Sequence, residues 1–277
     1  MLKEKKIGLI GAGSMAASIL AGLTEKGEIL PQNIALINRC NQKRLQELTQ
    51  LYGLNEENNK PERILEADIV ILAVKPKDVA EVLKCWGNRF RQGQLIISVI
   101  AGISTSFLES GLKEKLAVIR VMPNTSCAVG LSATAVCSGK WVRPEDMEIA
   151  CHIFSAIGSV FVVQEEMMDA VTGLSGSGPA YFYYMVEALE SAGVHAGLSA
   201  AAARDLTVQT LLGAAQMLVK TGKEASQLRR EVTSPGGTTM AGLEVLSRYR
   251  FDEAVIQAVL RAKERSREMG RDFASSR

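Results

Sequence analysis

Residues 5–39 constrain the fold more than any other stretch of this chain. An apolar run over 7–10 meets Gly11-Ala12-Gly13-Ser14-Met15-Ala16. A helical pattern follows at once, and a second apolar run over 34–37 ends in Asn38-Arg39. Strand, glycine turn, helix and second strand at this spacing make the G-x-G-x-x-G/A fingerprint of a dinucleotide-binding βαβ unit. Gly11 allows the tight turn, Gly13 lets backbone approach a pyrophosphate, and Ala16 is small enough for close helix-on-strand packing. The amides of the helix N-terminus, beginning at Ser14 and Met15, face the phosphate. The end of the second strand selects the cofactor. An NAD site commonly carries Asp or Glu there for the ribose 2′-OH. Asn38-Arg39 offers no anion, and a guanidinium can pair with a 2′-phosphate. The expectation is NADP(H), with NAD(H) the weaker alternative.

Basic residues 3–6 ahead of the small, apolar run 7–23 imitate a secretory signal peptide. The polar Thr24-Glu25-Lys26 and the strand after it fit a βα unit better. No uninterrupted apolar stretch reaches the length of a transmembrane helix. A net charge of +2 with signs mixed throughout predicts neither nucleic-acid nor membrane binding. Five cysteines without a CxxC pair read as reduced thiols of a cytoplasmic protein. His152 and His195 are the two histidines, too few for a metal site or a Ser-His-Asp triad. His195 is expected in a turn between helices.

Short apolar strands are expected over 7–10, 34–37, 68–73, 95–99, 118–122, 132–137 and 160–163, with helical patterns between them. Asn41 can cap a helix over 42–51. Pro61, Pro76 and Pro144 can open helices over 62–67, 77–86 and 145–157, and Gly158 can end the last of these. Apolar strands alternating with helices predict an α/β fold: a doubly wound, mostly parallel sheet of Rossmann type over residues 1–163. Beyond it the strands stop, and residues 164–277 read as an all-helical dimerisation and substrate-binding domain. The pattern over 207–219 is apolar almost all round, broken by Gln209 and Gln216. A helix with no polar face must be buried on several sides. A domain of this size has little interior for it, so an obligate homodimer through the C-terminal helices is predicted.

Ala73-Val74-Lys75-Pro76 follows a strand at the carboxyl edge of the sheet, where α/β proteins bind ligands. Lys75 could reach phosphate or ribose, or this could be an ordinary strand-to-helix turn. Residues 98–102, including Ala101, could flank the nicotinamide ribose. Asn124, in Met122-Pro123-Asn124-Thr125, could bond a carboxamide or merely cap the next turn. Two Gly/Ser/Pro clusters precede helical patterns, residues 172–181 (with Ser175-Gly176-Ser177-Gly178-Pro179 at their centre) and Ser234-Pro235-Gly236-Gly237-Thr238-Thr239. Each is expected to present free N–H groups at a helix start, a ready anion site. The second, ahead of a helix over 240–248, suggests a small carboxylate substrate.

Five segments together resemble pyrroline-5-carboxylate reductases: IGLIGAGSMA (7–16), AVKP (73–76), MPNT (122–125), LSGSGPAY (174–181) and LRREVTSPGGTTMAGL (228–243). Ser126-Cys127 departs from the proline that often follows MPNT in that family. The resemblance implies an N-terminal Rossmann domain, a C-terminal helical domain interlocked in dimers, and further assembly into decamers. It implies hydride transfer from NADPH to the C=N carbon of 1-pyrroline-5-carboxylate, giving L-proline. It also implies that Ser234 and the backbone of Gly236, Gly237 and Thr238 hold the substrate carboxylate, with Thr239 at the ring nitrogen. Asn59 would lie near the adenosine. An imine reductase for another cyclic imine and a non-catalytic NADP-binding paralogue are the alternatives. A β-hydroxyacid dehydrogenase is disfavoured, because no lysine occurs between Lys140 and Lys220 to supply its proton.

Overall fold

The computed structural model describes residues 2–275, and its side chains through Arg271. The first five strands are β1 (Ile7–Ile10), β2 (Ile34–Ile37), β3 (Ile69–Leu72), β4 (Leu95–Ser98) and β5 (Ala117–Met122). They alternate with α1 (Ser14–Glu25), α2 (Gln42–Leu51), α3 (Pro61–Glu66), α4 (Val79–Trp86) and α5 (Thr105–Ser110). Then come β6 (Ser132–Ser138), α6 (Pro144–Ser155) and β7 (Gly158–Val162). The sheet order is β2-β1-β3-β4-β5-β6-β7. The first five strands run parallel, β6 runs antiparallel to β5, and β7 parallel to β6.

Strand periodicity divides the core between the two faces of the sheet. Ile69 and Ile71 of β3 pack with Ile19, Leu20 and Leu23 of α1 and Phe154 of α6. Their neighbours Val70 and Leu72 pack with Ile64 of α3, Val79 and Leu83 of α4, and Leu108 of α5. Both faces are covered, which is why the strands are continuously apolar rather than alternating. Because β2 and β3 flank β1 on opposite sides, successive crossovers leave β1 in opposite directions. This opens a crevice at the carboxyl ends of β1 and β3.

Local signals set several boundaries. The Asn41 carboxamide accepts from the Arg44 amide and caps α2. Pro61 and Pro144 occupy first turns, as their fixed φ favours. Pro76 opens a short 3₁₀ turn, Pro76–Asp78, before α4 begins. The role expected for Gly158 is corrected. Helix α6 ends at Ser155, and Gly158 starts β7 at φ +153, where a Cβ would meet the Ser132 carbonyl oxygen at 2.1 Å.

After the sheet come α7 (Met168–Val171), a π-helical turn (Thr172–Gly176), α8 (Gly178–His195), α9 (Ala200–Thr221), α10 (Ala225–Glu231), α11 (Thr238–Arg248) and α12 (Phe251–Ser275). The chain forms two compact units, residues 1–177 with 260–277, and residues 178–259. This division differs from the one expected after residue 163. Met168 is fully buried against Ala135 and Cys137 of β6, so the segment ahead of α8 belongs with the sheet. The C-terminal part of α12 belongs there too, since Gly270 packs against the carbonyl of Gly102. His195 closes α8 rather than lying in a turn, and its Nδ1 is 2.7 Å from the Ser191 carbonyl oxygen.

Within the second unit, α8 and α9 cross closely where Gly193 meets Ala203. These two helices bury only Gly178 and Ala203. Tyr183, Tyr184, Leu206, Val208, Leu212 and Val219 are exposed in the single chain. An apolar surface of this extent marks an interaction face.

Candidate functional site

In the first unit, the glycine turn sits at the head of the crevice. Gly11 has φ +112, and a Cβ there would meet the Ala73 carbonyl oxygen at 2.3 Å. Only glycine lets the ends of β1 and β3 close to this distance. Gly13 is different. It is the N-cap of α1 in extended conformation, and a Cβ on it would meet no atom within 4 Å. Packing does not require glycine at position 13, so the space in front of it is available to a ligand. No side chain caps α1 and no acidic residue lies in its first turn, so the amides of Ser14, Met15 and Ala16 face an anion site. The donor set and the open space fit a dinucleotide pyrophosphate.

Asn38 and Arg39 lie just past the carboxyl end of β2. The Asn38 side-chain Nδ2 donates to the Asn41 carbonyl, and the Asn38 backbone carbonyl accepts from the Gln42 side chain, which fixes the turn into α2. Arg39 is exposed and pairs with Glu81 of α4. Sequence gives no sign of Glu81, because contact between the β2 and α4 ends depends on sheet order. Lys75 is exposed and without an ion pair among the described residues, and Val74 and Pro76 are half-buried beside Ala73. Ala101 lies in the turn after β4, where Gly102 at φ +74 faces the Ser266 carbonyl of α12.

Two expected cofactor ligands have structural work here. The Asn59 Oδ1 accepts from the Leu36 amide, and its Nδ2 donates to Thr49 Oγ1 at 2.7 Å, tying β2 to α2. Asn124 is buried. Its Oδ1 accepts from the Ser126 amide, the capping alternative, while Nδ2 donates to the Ser175 carbonyl at 3.1 Å. Helix α8 does start within the cluster 175–179, at Gly178, but the approach to it is corrected. It continues from α7 through the π turn, closed by the Ser177 amide donating to the Thr172 carbonyl at 2.8 Å, so it offers no free helix N-terminus.

An ionic cluster built on the buried Arg120 is not expected from the sequence. Arg120 of β5 donates to Glu165 at 2.7 Å and lies 3.6 Å from Asp169, and the Ser266 hydroxyl donates to Asp169 at 2.7 Å. The cluster bolts the segment after β7 and the C-terminal part of α12 to the sheet. An arginine within the apolar strand Ala117–Met122, followed later by carboxylates at i and i+4, is the signal available.

In the second unit, Gly236 turns the chain at φ +69 and Gly237 caps α11. The helix starts at Thr238, two residues earlier than expected, so Thr238 and Thr239 form its exposed first turn. A Cβ on Gly237 would meet Ser234 Oγ at 2.4 Å, so the Ser234 hydroxyl is held over the start of the helix. No side chain caps these amides, and no acidic residue follows in the first turn. The arrangement suits a small carboxylate flanked by hydroxyls. No cluster able to hold a metal occurs among the described residues.

The family model described as pyrroline-5-carboxylate reductase dimerisation matches residues 165–269. A second, NADP oxidoreductase coenzyme F420-dependent, matches residues 6–102. The chain is 45% identical to pyrroline-5-carboxylate reductase 1 of Bacillus spizizenii, over 98% of this chain and 91% of that protein. Among solved structures it is similar to a pyrroline-5-carboxylate reductase from Coxiella burnetii (TM-score 0.86, 34% identity, covering 96% and 98% of the two chains). It is also similar to the Plasmodium falciparum pyrroline carboxylate reductase with NADP bound (TM-score 0.85, 30% identity, covering 98% and 100%).

Proposed function

The chain belongs to the pyrroline-5-carboxylate reductase family, and from that premise we infer how its residues carry out the reaction. It is an NADP(H)-dependent oxidoreductase that reduces the C=N bond of 1-pyrroline-5-carboxylate to L-proline, the last step of proline biosynthesis. When bound, NADPH supplies the hydride. A protonated imine would already carry the charge that draws a hydride, so the protein need not provide a strong acid or a metal. Its work is to position two rings and to hold a carboxylate.

The observation that carries the assignment of groups is the pair of uncapped, glycine-led helix starts. In the first unit, Gly11, Gly13, Ser14, Met15 and Ala16 take the pyrophosphate. Arg39 takes the 2′-phosphate beside Asn38, and Ala73, Val74, Lys75, Pro76 and Ala101 line the path of the ribose and nicotinamide. Asn59 acts at the adenosine end by holding β2 in place. In the second unit, Ser234 and the backbone of Gly236, Gly237 and Thr238 hold the substrate carboxylate. The Thr239 hydroxyl bonds the ring nitrogen. It is far too weakly acidic to donate a proton alone, so it orients the substrate and relays a proton from water.

The protein is a homo-oligomer with the helical region as its dimerisation domain. Assembly into a decamer and a cytoplasmic location complete the reading. The first rests on family resemblance and the second on five free cysteines.

The decisive assay follows NADPH absorbance with purified protein and 1-pyrroline-5-carboxylate, with NADH in parallel. Substrate-dependent oxidation favouring NADPH is expected, and cofactor binding without turnover would overturn the catalytic reading. Arg39→Ala should raise KM for NADPH roughly tenfold or more, the scale of one charge-assisted phosphate contact. KM for NADH should barely move, and equal effects on the two cofactors would remove the 2′-phosphate assignment.

A further inference from the structure

The Ser175 carbonyl poses a problem that the sequence creates and a distant residue solves. In a continuing helix it would accept from the amide four residues on, but position 179 is proline and has no N–H. A half-buried acceptor that lacks its α-helical donor is costly unless another group bonds it. Asn124 fills the vacancy from across the fold, its Nδ2 donating at 3.1 Å. Its other contacts hold it in place. Its Oδ1 accepts from the Ser126 amide, and its own backbone amide donates to Ser132 Oγ, which lies 2.9 Å from Thr134 Oγ1. Gly176 is part of the same fit, since a Cβ there would meet the Met122 methyl at 2.6 Å. The end of β5 and the π turn are thus locked together through one carboxamide. A π-helical turn is uncommon and is often found at functional sites.

We propose that Asn124 is a positioning residue for hydride transfer: through the Ser175 carbonyl, to which Pro179 can offer no α-helical N–H, it fixes the π turn Thr172–Gly176 against the carboxyl end of β5. The proposal rests on the reductase reading, in which a dinucleotide anchored at β1 extends along the carboxyl ends of β4 and β5 toward this turn. Asn124 then acts on the nicotinamide end of the site through backbone placement, not by bonding the carboxamide itself.

The test is Asn124→Asp, which keeps the size and the acceptor for Ser126 but removes the donor to Ser175. At about pH 8, well above a carboxyl pKa, kcat should fall roughly tenfold to 10²-fold, the cost of a small misplacement of reacting groups. KM for NADPH should stay within about twofold, the expectation for a change felt at the reacting centre alone. The primary isotope effect with NADPH deuterated at the transferred position should rise. In the cofactor-free protein, amide hydrogen exchange over residues 172–178 should speed up while the sheet strands stay protected. Lowering the pH should restore activity relative to wild type, because the introduced carboxyl group, once protonated, again carries a donor. Asn124→Ala should lose kcat as well, and adding Pro179→Ala should recover part of it by supplying the missing N–H. Unchanged kcat and exchange would overturn the proposal, as would lower melting temperature with unchanged kcat per folded enzyme. A rise in KM for NADPH alone would overturn it too, making Asn124 a direct cofactor ligand. If wild type itself fails to turn over NADPH with the imine, the reductase reading falls, while the exchange arm still reports on the lock.

Discussion

The sheet unit and the helical unit solve the problem of burial in opposite ways. In the first, strands and flanking helices enclose their apolar residues within one chain, and Leu9, Ile71, Ile97 and Phe154 are essentially inaccessible. In the second, α8 and α9 leave Tyr184 and Val219 more than three-quarters exposed. The difference teaches that the first unit specifies its own core, whereas the second leaves an apolar face that calls for a partner. The match of residues 165–269 to a dimerisation domain accords with this.

The sharpest way to break that comparison is to place the same charge on an exposed leucine in each unit. Leu212 of α9 and Leu51 of α2 are both exposed in the single chain. Leu212→Glu should dissociate the oligomer and abolish most activity. Each subunit would bury a charge where a leucine side chain contributes about 1.5–3 kcal/mol, counted twice in a two-fold interface. Leu51→Glu should leave mass and activity unchanged. Light scattering after size exclusion decides between them, and an intact dimer carrying Leu212→Glu would mean that α9 is not at the interface.

A smaller effect separates the two glycine-led helix starts. Gly13 faces open space, while Gly237 lies under the Ser234 hydroxyl. Gly13→Ala should therefore fold normally yet raise KM for NADPH roughly tenfold, as a methyl group intrudes on the pyrophosphate. Gly237→Ala must displace Ser234, and should raise KM for 1-pyrroline-5-carboxylate by a similar factor while cofactor binding holds. Steady-state kinetics with each substrate varied will show whether the effects separate. If both variants changed the same KM, the division of cofactor and carboxylate between the units would fail.

How far the sequence speaks also differs between the units. The βαβ unit is legible nearly to the residue, because glycine turn, strand and helix are specified within the locally interacting stretch from Ile7 through Arg39. The Asn41 cap and the helix starts at Pro61 and Pro144 are legible for the same reason. The Arg39–Glu81 pair and the Arg120–Glu165–Asp169 cluster are not, since they join strands and helices whose adjacency depends on sheet order. The cluster at 175–179 marks the start of α8 as expected, yet misleads about the approach, because glycine and proline ahead of a helix usually mean an open loop. Here a side chain from the end of β5 supplies the missing donor and the helical path continues. The apolar circumference of α9 is legible as a demand for burial that the single chain leaves unmet.

The last prediction tests how closed the first unit's interior is. Cys137 of β6 is fully buried and donates to Glu165, and burial, with that carboxylate beside it, pushes its thiol up to about 12. A raised pKa for an acidic group means that the folded state holds a proton which the unfolded chain has already released. The associated stability is complete below the unfolded value near 9 and is lost as pH rises from there toward 12. Alkylation at mildly alkaline pH should label Cys40 and Cys85, which are exposed, and spare Cys137. Cys137→Ala should lower stability through a small cavity but flatten its decline at high pH. Labelling of Cys137 at the rate of Cys40 would show that the sheet edge near β6 opens without the second unit, and the contrast between a self-sufficient and a partner-dependent core would weaken at that edge.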